Sequence, residues 1–163
     1  LYNGGWNCEY YHGATHNSLH TTISVLEGFF STLACNNEYR KHDITKAIDR
    51  AISFVLRHNL YRSDTTGKVI KDEFFKFAFP VRWKYDILRC LDLFQKYNIT
   101  YDERMAGALD IIERFRTKNG TWKLASQAGK TYFTMEKNGT ESKWNTLRAL
   151  RVLIKYNRHH ALV

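Results

Sequence analysis

The strongest constraint in this sequence is a local pattern that occurs three times. Gly4-Gly5-Trp6, Gly67-Lys68-Val69 and Gly120-Thr121-Trp122 each place a glycine two residues before a large apolar side chain. Each copy is followed by a loop and then by an apolar helix. Those helices align as Ile23-Ser24-Val25-Leu26, Leu88-Arg89-Cys90-Leu91 and Leu147-Arg148-Ala149-Leu150, with offsets of 65 and 59 residues. A period near this length with two helices per unit describes a helical-hairpin repeat. The glycine permits a tight turn, and the aromatic residue fills the apolar gap between neighbouring hairpins.

Five segments carry helical periodicity. The first holds Leu19, Ile23, Leu26, Phe30 and Leu33 behind Ser18 as cap. The second runs Ile44, Ala47, Ile48, Ala51, Ile52, Val55 and Leu56, with Asp43 as its expected N-cap. The third follows Pro80 and carries Ile87, Leu88, Leu91 and Phe94. The fourth starts at Asp102 and carries Met105, Ala108, Leu109, Ile112 and Phe115. The fifth follows Ser142 with a stripe of Leu147, Leu150, Leu153 and Ile154. Two long connections, Tyr61–Arg82 and Asn119–Glu141, are rich in aromatics, so they read as ordered excursions. Short strands are expected at Phe74–Phe79 and Thr131–Met135. The fold class is therefore all-α, built from helical hairpins.

The chain has 163 residues, of which 15% are aromatic, and only one proline. This supports one packed domain over 1–163 and excludes a disordered or fibrous chain. No apolar run reaches the 18 residues a membrane span needs. Three cysteines are too few for a disulfide scaffold and point to a reduced, cytoplasmic setting. The formal charge is +9. Lysines and arginines are dispersed rather than clustered, which argues against nucleic acid and favours an ordinary solvated basic surface; a small-molecule ligand is the expected partner.

The Gly-x-Trp turn entering a helix at this period resembles the terpenoid-cyclase and protein-prenyltransferase superfamily. The chain looks most like uncharacterised bacterial squalene-cyclase-like, or prenyltransferase-like, proteins. The resemblance rests on Gly4–Glu9, His20–Gly28, Phe79–Arg89 and Trp144–Leu150, and it extends over nearly the whole chain. It implies an α/α toroid, with inner helices around a central cavity. Three hairpin repeats make about half a ring, so the resemblance implies the C-terminal half of a larger toroid, covered by the remainder or by a second copy. The family's reaction motifs are missing. No Asp-x-Asp-Asp run occurs, and Thr15-His16-Asn17-Ser18 stands where prenyltransferases carry an Asp-x-Cys pair.

Two constellations carry candidate chemistry. Cys8, His12, His16 and His20 recur every four residues. Cys8, His16 and His20 are candidate zinc ligands, since a catalytic zinc needs three protein ligands and an open position. His16 and His20 are alternatively acid–base groups, with Glu9 and Glu136 as further candidates. The second constellation opens the third and fifth helices: Arg82, Trp83, Tyr85, Asp86 and Arg89, then Trp144, Asn145 and Arg148. With Arg89 and Arg148 at equivalent repeat positions, two guanidinium forks would grip an anion while the aromatics cover a sugar ring or an apolar chain. The competing reading ties these arginines to Asp86 and Glu27 in structural ion pairs. The function expected is a cyclase-like domain acting on an anionic or polyhydroxylated substrate, a saccharide or a prenyl phosphate. The alternatives are a non-catalytic ligand- or partner-binding domain and a structural half-toroid.

Overall fold

A computed structural model describes residues 3–36, 38–125 and 132–156. They are mostly helical and divide into two compact units, Leu1–His58 and Asn59–Val163. No helix among them is long and apolar enough to cross a membrane.

The first unit is a helical hairpin preceded by a short 3₁₀ turn at Cys8–His12. Helix α1 spans Leu19–Ala34, and Ser18 caps it by accepting the Thr21 N–H. Helix α2 spans Lys41–Arg57. Asp43 is not its N-cap, contrary to the sequence expectation. The helix starts earlier, after Arg40 at φ 51°, and Asp43 lies in the first turn, 3.0 Å from Arg40 Nε. The added residues are all exposed, so the apolar stripe that begins at Ile44 carries no signal for them. Ile23, Leu26, Ala51, Phe54 and Val55 form the buried seam of the hairpin.

The glycine pair at the entry to this hairpin is sterically fixed. Gly4 has φ +87°, and a Cβ there would stand 2.4 Å from the Arg50 carbonyl oxygen. Gly13 has the same φ, but a Cβ placed there would meet nothing within 4 Å. Gly4→Ala is expected to cost about 2–4 kcal/mol, the left-handed penalty plus backbone displacement. Gly13→Ala should cost only the conformational part, about 1 kcal/mol. Chemical denaturation of both variants separates the two contributions, and equal losses would refute the steric account.

The second unit holds a 3₁₀ turn at Asp72–Phe75 and helix α3 at Ile87–Lys96. A 3₁₀ turn at Glu103–Met105 leads into α4 at Ala106–Arg114. Strands β1 (Trp122–Lys123) and β2 (Glu141–Ser142) pair antiparallel, with Trp122 opposite Ser142, and β2 runs into α5 at Lys143–Lys155. Helix α3 packs chiefly against α5. Leu88, Leu91, Phe94, Met105, Leu109, Ile112 and Trp122 are buried in this core.

The repeat has a structural counterpart. Gly4, Gly67 and Gly120 all adopt positive φ. Trp6 N–H donates to Thr22 Oγ1 and Trp122 N–H donates to Thr146 Oγ1, each at 3.0 Å. Ser18, Asp86 and Ser142 each cap a helix by accepting the N–H three residues on.

Other expectations are corrected. Phe74–Phe79 is not a strand: Phe74 and Phe75 belong to the 3₁₀ turn, and Phe74, Phe77 and Ala78 are all buried, which breaks strand alternation. The expected strand at Thr131–Met135 is absent over residues 132–135, and Thr131 lies outside the described residues. Helix α5 is rotated from its expected stripe. Leu147 and Ile154 are about half exposed, while Asn145, Arg148, Ala149, Val152 and Leu153 face inward.

Candidate functional site

The run Phe77–Phe79 lies along the first turns of α5, and polar side chains hold its start there. Asn145 Nδ2 donates to the Phe77 carbonyl at 3.1 Å and to the Lys123 carbonyl at 3.2 Å. Arg148 Nη1 donates to the Ala78 carbonyl and to Asn145 Oδ1, both at 3.2 Å. Arg148 Nε stands 3.3 Å from Asp92 Oδ2, and the other Asp92 oxygen takes Arg151 at 2.8 Å. Asp86 accepts from the Arg89 N–H at 2.7 Å and faces the Ala78 N–H at 3.5 Å. Arg89 Nη1 donates to the Lys84 carbonyl at 2.8 Å. Burial pushes the Asp86 carboxyl above the usual carboxylate range, against the opposing pull of Arg148 and of the N–H donors.

This frame corrects the expected double-guanidinium mouth. Arg89 and Arg148 are 5% and 6% exposed. Arg89 bonds to the Lys84 backbone, and Arg148 bonds to the Ala78 backbone and to Asp92. They are not repeat equivalents either. Counted from the caps Asp86 and Ser142, Arg89 is the third helical residue and Arg148 the sixth. Tyr85 is buried as well, its hydroxyl donating to the Leu60 carbonyl at 2.6 Å and its ring meeting Phe74 edge-on. Its phenol pKa is raised well above the usual value, by burial first and then by Cys90. Glu136 accepts from Ser142 Oγ at 2.5 Å and from the Lys143 N–H at 2.8 Å, so it completes the start of α5. An acid held this way has both oxygens engaged and is poorly placed for proton transfer.

The aromatic members remain outside the frame. Phe79 and Trp144 stack nearly parallel, with centroids 4.9 Å apart and planes 9° apart. Trp144 is 41% exposed and Trp83 is 62% exposed, with Lys84 Nζ 5.8 Å from the Trp83 ring centre. Arg82, Lys84 and Lys143 are exposed cations near the same helix starts. Tyr132 and Phe133 are also exposed and precede β2.

The Cys/His run in the first unit is not gathered into a metal site. Among the described residues no group of three His, Cys, Asp or Glu side chains could hold a metal ion. Cys8 is exposed with its N–H on Thr21 Oγ1, and Glu9 pairs with His12 Nδ1 at 2.8 Å. His16 is exposed, and its carbonyl accepts from Asn7. His20 lies in the first turn of α1. The four-residue spacing would align these residues only on a continuous helix. The left-handed Gly13 ends the 3₁₀ turn between them, so they do not share a face.

One feature is absent from the sequence expectations, a groove of about 480 Å³ beside β1. Its accessible walls are Phe75 and Phe115, with buried Phe77 and Trp122 behind them. Phe115 fits the core stripe of the fourth helix by period. In the fold it is the C-cap residue of α4 and is 41% exposed.

No protein-family model, no curated protein and no solved structure matches this chain.

Proposed function

We propose that this chain is a ligand-binding domain of the α/α-toroid type, and that its ligand is an anionic saccharide. The binding surface is an aromatic platform of half-buried Phe79 with exposed Trp144 and Trp83, and the exposed Arg82, Lys84 and Lys143 next to them in sequence supply its charge. The observation that carries this reading is the near-parallel stack of half-buried Phe79 on exposed Trp144, next to a buried polar frame. Flat aromatic faces complement the C–H faces of sugar rings, and the surrounding cations complement carboxylates or sulfates. A rigid frame under the rings lowers the ordering cost of binding. The repeated left-handed glycines, Trp–Thr bonds and helix caps support the toroid part of the reading. Binding is favoured over catalysis because Glu136, Asp86, Arg89 and Arg148 are committed to structural bonds.

Titration calorimetry with an oligouronate and an uncharged oligosaccharide of equal length tests this. The acidic ligand should bind more tightly, and its affinity should fall with salt because the cations are exposed. Trp144→Ala should weaken binding about tenfold, the loss of one ring contact, with little change in melting. Equal, salt-independent behaviour of the two ligands, or full affinity in the variant, would overturn the reading.

A further inference from the structure

We infer that the groove beside β1 is a second binding site, for an aromatic carboxylate or sulfonate. None of the platform's aromatic side chains lines it. The turn between α4 and β1 builds it. Thr117 N–H donates to the Thr121 carbonyl at 2.8 Å, Gly120 N–H donates to the Thr117 carbonyl at 3.0 Å, and the two threonine hydroxyls meet at 2.7 Å. Gly120 supplies the positive φ that closes the turn. The closure brings the residues before Gly120 beside those after it, and Phe115, Arg116 and Lys118 line the groove together with Lys123.

Phe75 also lines the groove, and its ring meets Tyr61 edge-on at 5.3 Å. Phe77 is fixed from behind, because its carbonyl accepts from Ala125 N–H and Asn145 Nδ2. Phe77 and Phe115 lie 5.7 Å apart at 50°. The groove therefore has a preformed aromatic slot rather than a collapsible apolar patch. Its volume falls within the range of small-molecule sites.

The charge is one-sided. Arg116, Lys118 and Lys123 line the groove, and among the described residues no acidic one does. The nearest acid in register is Glu141, opposite Lys123 on β2, and one of its oxygens accepts from Asn119. Arg116 lies over the Trp122 ring, 6.0 Å from its centre, so its guanidinium sits against an aromatic side chain that also lines the groove. A ligand that satisfies both features carries a flat apolar body for the Phe75–Phe115 slot and a single anionic head for the cations. Aryl carboxylates and aryl sulfonates have that shape and charge.

The anilinonaphthalene sulfonate dye is the direct probe, since its emission rises on entering an apolar site. The wild-type chain should enhance the dye at one saturable site, and 2-naphthoate should displace it. Uncharged 2-naphthol should compete at least about tenfold less well. Phe115→Ala and the double variant Lys118→Glu/Lys123→Glu should each weaken the dye about tenfold, with helical circular dichroism and melting retained. These three side chains are exposed, so the fold should survive; if the double variant unfolds, Lys118→Gln alone must still reduce affinity. Trp144→Ala should leave dye binding unchanged, which separates this site from the saccharide platform. Displacement by naphthol as readily as by naphthoate would overturn the anionic ligand class. Undiminished dye binding in the folded Phe115 and lysine variants would overturn the site itself.

Discussion

Trp122→Ala is expected to cost the Asn59–Val163 unit about 3–5 kcal/mol, the range for truncating a fully buried large aromatic. Trp122 is 0% exposed, and its indole N–H donates to the Ile112 carbonyl at 2.6 Å. Its backbone N–H is also fixed, by Thr146 Oγ1 on α5. One residue thus links the end of α4, strand β1 and the first turns of α5. Truncation opens a cavity beside Ile112 and removes the indole donor from its carbonyl, which keeps only the Phe115 N–H at 3.2 Å. Domains of this size hold only about 5–15 kcal/mol in total. The variant should therefore melt far below the parent or fail to fold. Trp122→Phe restores most of the volume and should recover more than half of the loss. Urea denaturation followed by circular dichroism measures both, and an alanine cost under about 2 kcal/mol would contradict this role.

Helix positions are legible in the sequence because their determinants are local. Ser18 and Ser142 sit directly before an apolar period, and both cap as their sequence context indicates. The three glycines are legible for the same reason, since a glycine before a large apolar residue marks a turn that needs positive φ. The buried face of α5 is not. Leu147 and Ile154 suit a core by hydropathy, yet Asn145 and Arg148 take the inward positions. They do so because the carbonyls of Phe77 and Ala78, about 70 residues away in sequence, need donors when this run is buried against the helix. A hydrophobic period contains no record of that requirement.

The same limit applies to the site. Arg89 and Arg148 share a Leu-Arg context in sequence, whereas the caps set a different register. The groove is hidden because its residues are ordinary when taken singly. Phe115 continues a helical period, and Lys118 and Lys123 belong to a dispersed charge pattern. A signal is nevertheless present. Phe115-Arg116-Thr117-Lys118 and Thr121-Trp122-Lys123 each combine an aromatic residue, a threonine and at least one cation on either side of Asn119-Gly120. An Asn-Gly turn between such arms brings their side chains together.

Arg148→Ala is the second substitution expected to be severe, and its cost should depend on pH in a definite direction. Removing this guanidinium takes a donor from the Ala78 carbonyl and from Asn145 Oδ1, and a cation from Asp92 and from buried Asp86. Breaking a buried charge network from one side costs about 3–5 kcal/mol. Asp86 sets the pH dependence. Its pKa in the fold already lies above the unfolded value of about 3.9, because burial outweighs Arg148 and the other stabilising partners. A carboxyl with a raised folded pKa binds protons more readily when folded. Its favourable contribution is complete below the unfolded pKa and is lost as pH rises through the folded one. Without Arg148 the folded pKa rises further, so the variant is penalised most where Asp86 is ionised. The stability gap between parent and Arg148→Ala should therefore be widest near neutral pH and narrow on acidification toward about pH 4. Arg148→Met fills the volume without the charge, so it should restore packing but keep the same pH trend. Denaturant titrations at several pH values read this directly. A gap that stays constant or widens as pH falls would show that Arg148 acts through packing and backbone bonding alone, and not through the charge of Asp86.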